Sequence, residues 1–152
     1  MRRVMAQGTF DILHPGHVHY LEASAELGDE LVVVIARDAR VGSRKDLFMD
    51  EASRRRVVAA LSCVDEAVLG SEGDLFDSVE RLAPDVITLG YDQSFDPDEL
   101  EADLATAGFP DVEVVRIGPG PDEGVSSSSD VKARLREAHG EGVFHSVVGD
   151  DG

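Results

Sequence analysis

Ten residues near the amino terminus, Gly8-Thr9-Phe10-Asp11-Ile12-Leu13-His14-Pro15-Gly16-His17, set two imidazoles three positions apart around a Pro-Gly pair, directly after a short apolar run. Two histidines, a Thr and an Asp on one loop fit three readings: a metal site, an anion site, or only a turn. The metal reading is the weaker. Zinc takes three or four ligands, whereas the chain has one cysteine, Cys63, and His19 points elsewhere on a helix from His17. An anion site fits better. Gly8 lets backbone approach a ligand closely, Pro15 and Gly16 turn the chain, and His17 falls near a helix start. Helix starts carry free N–H groups and about half a positive charge, which favours phosphate. His17 and His14 can then donate to one anion from two sides. A pair of surface histidines in a turn is the plain alternative, strongest for His14 taken alone.

The elements that must position this loop alternate short β-rich runs with longer helical periods. Residues 4–7 read as a first strand ending at Gly8, and residues 17–27 as a helix (apolar at Val18, Leu21 and Ala25) capped by Gly28. The run "LVVVIA" at 31–36 has the unbroken apolarity of a parallel strand covered on both faces. Asp50 and Ser53 are candidate starts for a helix through 54–61. Further strands are expected at 66–69, 85–89 and 112–117, with helices at 75–82, ended by Pro84, and 97–107, ended by Gly108. A Pro/Gly-rich loop then leads through "SSSSD" to a last helix reaching about residue 138. This order predicts an α/β protein: a single Rossmann-like, doubly wound five-stranded parallel sheet with helices on both faces. Ligands of such sheets lie beyond the carboxyl ends of the strands, so the functional loops are expected at 8–17, 36–46, 89–95 and 117–129. Residues 1–139 are expected to form the domain and 140–152 a mobile tail.

Composition narrows the partners. At 152 residues there is room for one core. Tryptophan is absent and aromatics make up 5%, against a stacking platform for single-stranded nucleic acid. Acidic residues number 31 against 14 basic, a formal charge of −17 that opposes binding to phosphate polymers. Nearly all the basic residues are Arg; the lysines are Lys45 and Lys132. So acidic a chain repels itself in dilute salt, and we read the charge as halophilic adaptation, a merely well-solvated surface being the plainer alternative. Cys63 excludes an internal disulfide and, in an apolar helical stretch, reads as a small buried hydrophobe. "MRRVMAQG" has no apolar region behind its arginines and no stretch has membrane-span length, so a cytoplasmic protein with no membrane partner is expected.

The opening loop resembles the GTFD…HxGH signature of the cytidylyltransferase-like nucleotidyltransferases. The wider stretch "GTFDILHPGHVHYLEASAELGDELVVVIARD" is similar to archaeal-type FAD synthetases, with glycerol-3-phosphate cytidylyltransferases as close relatives. "MDEASRRRVVAALSCVDEAVLG" resembles the family's acidic-x-x-Arg helix and Val-Asp-Glu strand, and "ITLGYDQSF" its fourth-strand loop. The likeness covers residues 4 to 138.

What the resemblance implies is transfer of a nucleotide from a nucleoside triphosphate to a phosphate-bearing acceptor, with ATP and FMN as substrates. His14 and His17 would bind the triphosphate and stabilise charge around the α-phosphorus, with Thr9 and the backbone of Gly8 and Phe10 on the same phosphates. Lys45, nine residues before Arg54, would supply a mobile cation, assisted by Arg44. Asp11 would orient the acceptor, an Asx-turn being its alternative; Asp38 would contact the acceptor or cap a helix. Asp92 and Gln93 would meet ribose or base. Arg54 could pair with a carboxylate, hold its helix or reach a phosphate. The second family signature survives as Gly124-Val125-Ser126-Ser127-Ser128, with Pro121 where the family has Arg. Gly124, Ser126, Ser127 and Ser128 would hold β- and γ-phosphate, a plain serine-rich helix cap being the alternative, and Arg116 or Arg134 could replace the missing Arg. No metal ligands are expected in the protein; a divalent cation, Mg²⁺ first, would be held by substrate phosphates. Relatives are often dimers, which suggests a homodimer.

Three functions compete at this level. FMN adenylylation leads, because Pro15 stands where glycerol-phosphate enzymes commonly carry Trp, and Gly-Tyr-Asp-Gln follows the fourth strand. CTP-dependent transfer to glycerol 3-phosphate or a related polyol phosphate is the second. A non-catalytic nucleotide- or flavin-binding module is the third, and the missing Arg is its best support. A tRNA synthetase fragment shares the HxGH pattern but fits poorly with a short acidic chain.

Overall fold

Parallel strands covered on both faces need apolar side chains pointing both ways, and the second strand has them at almost every position. The computed structural model describes residues 1–38, 47–71, 75–91, 93 and 95–119. Strands β1 (Arg3–Gly8), β2 (Glu30–Ile35), β3 (Glu66–Leu69), β4 (Val86–Leu89) and β5 (Glu113–Arg116) form one parallel sheet in the order β3-β2-β1-β4-β5. Helices α1 (Pro15–Ala25), α2 (Glu51–Ala59), α3 (Leu75–Leu82) and α4 (Pro97–Thr106) connect them. Leu31, Val33 and Ile35 of β2 pack with Val4 and Ala6 against Tyr20 and Leu21 of α1 and Val58 of α2. Val32 and Val34 face the other way and join Met5, Ile87 and Leu89 under Val79 and Leu82 of α3 and Leu100 and Leu104 of α4. The doubly wound architecture read from the sequence is therefore the observed one.

Helix boundaries differ in instructive ways. Helix α1 starts at Pro15 rather than at 17, because His14 is its N-cap and proline's fixed φ suits the first helical position. Its C-cap is Glu26, in right-handed geometry. Gly28 is not the expected left-handed cap, a backbone form seen at Gly108, where φ is +103°. Gly28 serves closeness instead: a Cβ there would lie 2.7 Å from the Arg2 carbonyl oxygen and 2.8 Å from Val4 Cγ2. Of the two candidate starts for α2, Asp50 is the cap. Its Oδ1 accepts from the Ser53 amide at 2.8 Å, and that bond holds the Asp50 carboxyl below the usual range. The last helix and the tail lie outside the described residues.

At the centre of the sheet β1 and β4 part company. They pair at Val4↔Val86 and Met5↔Ile87. One residue pair further on, the Tyr20 hydroxyl accepts from the Gln7 amide at 3.2 Å and donates to the Thr88 carbonyl at 2.7 Å. A phenol from α1 thus satisfies backbone groups on both diverging strands. Ser24 Oγ locks it in place, lying 2.7 Å from the Tyr20 carbonyl and 2.8 Å from Thr88 Oγ1. Burial pushes the Tyr20 phenol up to about 12. This divergence is the switch point, and the crevice opens at the carboxyl ends of β1 and β4, where the histidine loop lies.

Candidate active site

The loop after β1 is built around one imidazole acting as a helix cap. His14 is buried and extended (φ −144°, ψ 170°), and its Nδ1 accepts from the amides of Gly16 at 3.1 Å and His17 at 3.4 Å. The amides of His17 and Val18 also reach the His14 carbonyl at 3.0 and 3.2 Å, and Pro15 has no N–H. The free N–H groups expected at this helix start are therefore consumed by His14 itself. What α1 still offers an anion is the positive end of its dipole, together with the two rings. Because Nδ1 is an acceptor, a neutral His14 carries its proton on Nε2. The rings of His14 and His17 stack with centroids 3.7 Å apart and planes inclined by 26°. His14 Nε2 and His17 Nδ1 are both shielded from solvent.

Phe10 fixes where that pair stands. Its backbone is left-handed (φ +53°), unusual for a residue with a Cβ, and its ring is buried. The ring meets His17 edge-on at 5.1 Å and stacks on Tyr20 at 6.5 Å. A Cβ on Gly8 would come within 2.8 Å of the Phe10 ring. The space above Gly8, expected to admit a ligand, is thus filled by Phe10, and the glycine matters because it seats that ring.

Two charged residues tie three loops together. Arg54 is completely buried; its guanidinium donates to the Thr9 carbonyl at 2.8 Å, the Met49 carbonyl at 3.1 Å and Asp38 Oδ1 at 2.5 Å. Of the three readings open for Arg54, the carboxylate pair is realised. The Asp38 amide donates to Glu51 Oε1 at 2.9 Å, and the Glu51 amide returns a 3.3 Å bond to Asp38 Oδ2. Asp38 therefore takes up the first amide of α2, beside the Asp50 cap, while its side chain stays 42% exposed. Asp11 is buried, and its oxygens accept from the amides of Phe48 and Met49, each bond 3.0 Å long. Asp11, the residue expected to orient the acceptor, binds the segment leading into α2. The sequence carries a signal for the burial of Arg54: of Arg54, Arg55 and Arg56, only Arg54 lies one helical turn before Val58, on the buried face.

On the other flank, Gln93 folds back on its own turn. Its Oε1 accepts from the Gly90 amide at 2.8 Å, which leaves the side-chain NH₂ as the group able to meet a nucleotide. Arg116 donates to the carbonyls of Gly90 at 2.9 Å, Gln93 at 3.0 Å and Phe95. Its guanidinium holds the loop after β4 in shape, a different task from replacing the absent phosphate clamp. Among the described residues no group of three or more His, Cys, Asp or Glu is placed to hold a metal ion, and no helix is long and apolar enough to cross a membrane.

Residues 5–134 match the cytidylyltransferase-like family. The chain belongs to the cytidylyltransferase-like family. Among relatives, an FAD synthase from Ferroglobus placidus is 49% identical over 135 residues, 89% of this chain and 88% of its own length. An FAD synthase from Thermoplasma volcanium is 50% identical over 143 residues, 93% of this chain and 99% of its own. One from Haloferax volcanii is 56% identical over 119 residues, 78% of this chain and 83% of its own. A crystal structure described as a lipopolysaccharide core biosynthesis protein from Thermoplasma volcanium superimposes with a TM-score of 0.76 at 50% identity, covering 80% of this chain and 99% of that one. Within this cytidylyltransferase-like chain, Gly8, Thr9, Phe10, Asp11, His14, His17 and Asp38 come together at the carboxyl ends of β1 and β2, and Gln93 stands beyond β4. Lys45, Arg44, Asp92, Gly124, Ser126, Ser127, Ser128, Pro121 and Arg134 lie outside the described residues.

Proposed function

We propose that the chain is an FMN adenylyltransferase, a nucleotidyltransferase that moves AMP from ATP onto the phosphate of FMN and releases pyrophosphate. One observation carries this reading: relatives named FAD synthase share 47 to 56% of their residues with this chain over most of its length. The geometry agrees with the chemistry required. A phosphate monoester is already an adequate nucleophile, so transfer to the α-phosphorus needs alignment and charge stabilisation more than a base. His14 suits that demand. Its Nδ1 is committed to the helix cap, so it serves as an Nε2–H donor to the α-phosphate rather than as a proton shuttle. His17, stacked on it, donates beside it in surroundings of low dielectric, where such bonds gain strength.

Thr9 and the neighbouring backbone hold the same phosphates, at a position set by Arg54. Lys45 brings a cation to the transferring group, and Gly124 with Ser126, Ser127 and Ser128 takes β- and γ-phosphate. Asp92 and the Gln93 amide face the ribose or base, and Asp38 faces the acceptor through its exposed edge. Asp11 acts on the acceptor through the 48–49 segment that it anchors. The carboxylates nearest the loop, Asp11 and Asp38, are engaged by amides and Arg54, which fits a Mg²⁺ held mainly by triphosphate oxygens. When bound, such an ion neutralises charge on the leaving pyrophosphate. Dependence on ATP supports a cytoplasmic reaction. The test offers purified protein ATP with FMN and, separately, CTP with glycerol 3-phosphate. Pyrophosphate release and FAD formation from the first pair are expected; release from the second pair alone would overturn the reading.

A further inference from the structure

Among the described residues the exposed aromatics are Phe48, Tyr91 and Phe95, at 58%, 44% and 45% exposure. All three sit on strand-to-helix connections, Phe48 between β2 and α2 and the other two between β4 and α4, and so at the same edge of the sheet as the histidines. In a chain with few aromatics, rings left in water at this edge, and among the described residues at no other, point to flat ligands. The strand order β3-β2-β1-β4-β5 puts Phe48 on one flank of the histidine loop and Tyr91 with Phe95 on the other. A dinucleotide product has the same outline: a pyrophosphate in the middle and a flat ring at each end.

Resting on the FMN reading, we infer that Phe48 is the platform for the isoalloxazine ring of FMN and a determinant of acceptor specificity. Its backbone is fixed as a platform requires. The Phe48 amide donates to both Asp11 oxygens and the Met49 amide to Oδ1, while the Met49 carbonyl is held by Arg54. Asp11 and Arg54 also belong to the framework of the reacting loop, so the ring is presented at a set distance from the histidines. The loop on the opposite flank carries Gln93, the described residue best suited to polar contact with the nucleotide. That leaves the apolar tricyclic ring of the acceptor to Phe48, where a ring-on-ring contact contributes without any polar partner.

The experiment measures pyrophosphate release with FMN and ATP varied separately, in wild type, Phe48→Ala, Phe48→Trp and Phe95→Ala. Phe48→Ala is expected to raise the KM for FMN about tenfold, with the KM for ATP and kcat within twofold of wild type. Phe48→Trp should recover the FMN KM. Because the side chain is exposed, the melting temperature of each Phe48 variant should stay near wild type. An unchanged FMN KM in Phe48→Ala, in protein that turns over FMN, overturns the platform and leaves the proposed function standing. A rise confined to Phe95→Ala puts the ring on the other flank and also overturns it. Wild type that releases no pyrophosphate with FMN overturns the function, and the platform falls with it.

Discussion

The guanidinium of Arg54, wholly buried one turn into α2, donates to Asp38 Oδ1 at 2.5 Å across the gap between α2 and the end of β2. Its other bonds go to two carbonyls on different loops, so one side chain sets the spacing of three segments. Burying a guanidinium is tolerable only with pairing of this kind, one bond from each nitrogen and a carboxylate among the partners. Arg54→Ala should therefore cost about 3 kcal/mol or more of stability in urea unfolding, because it strands the Thr9 and Met49 carbonyls and leaves a cavity. Asp38 is partly exposed and can rehydrate, which keeps the loss near the lower end. Asp38→Asn keeps an acceptor for Arg54 and should cost less, about 1 to 2 kcal/mol. Equal stability of Arg54→Ala and wild type would contradict the hub.

His14 has two jobs that mutation can separate. Asn is a good N-cap but holds no N–H where Nε2 stands. His14→Asn should therefore melt close to wild type while kcat falls about a hundredfold, the scale of one lost transition-state donor. His14→Ala should lose the same activity and, in addition, about 1 kcal/mol of stability. His17→Ala should bind ATP and turn over at least a hundredfold more slowly. Full activity in His14→Asn would reduce the ring to a cap.

How far this site was legible follows from the kind of signal each residue leaves. Periodicity and apolar runs determined every described strand and a sheet with helices on both faces, because burial on both sides leaves a pattern that needs no tertiary knowledge. Which helices share a face came only from the packing. The histidines were found by type and spacing within a strand–loop–helix setting. Their geometry was not: that His14 would consume the amides of α1, and that Phe10 would fill the room above Gly8, depends on side-chain direction. Arg54 and Asp11 were visible as residues but not as partners of segments distant in sequence. Helical spacing from Val58 puts Arg54 rather than Arg55 or Arg56 on the buried face. Yet nothing local names the Thr9 carbonyl or the amides of residues 48 and 49 as the groups these two side chains meet.

Asp11 gives a direct check on the long-range tie to residues 48 and 49. Asp11→Ala leaves two half-buried amides without their carboxylate and should cost about 1 to 3 kcal/mol. Asp11→Asn retains one oxygen, and Oδ1 already serves both amides, so a loss near 1 kcal/mol is expected. In both variants the KM for FMN should rise more than the KM for ATP, because the anchored segment carries Phe48. Equal changes in both constants would mean that Asp11 acts on the phosphates instead.

The formal charge of −17 makes salt the next variable. Self-repulsion among carboxylates acts over about 10 Å at 0.1 M salt and about 3 Å at 1 M. The melting temperature should climb steadily with KCl through the molar range, and dialysis into low salt should cost activity. Equal melting temperatures in dilute and molar KCl would show that the acidic surface is ordinary solvation.

Tyr20 predicts an alkaline limit with a definite sign. Its phenol has a pKa near 10 when unfolded and about 12 when folded, so between those values the unfolded chain holds fewer protons than the native one. Stability is therefore fully present below pH 10 and is lost as pH rises from about 10 toward 12. Tyr20→Phe should remove that decline and flatten the stability profile over the interval. At neutral pH the same substitution strands the Gln7 amide and the Thr88 carbonyl where β1 and β4 diverge. It should cost about 1 to 3 kcal/mol there. Closure of the gap between the strands would also reach the crevice, so kcat should fall although Tyr20 lies beneath the reacting groups. Urea unfolding across the alkaline range, for wild type and Tyr20→Phe, measures both effects. Parallel profiles for the two proteins would show that the decline comes from other groups.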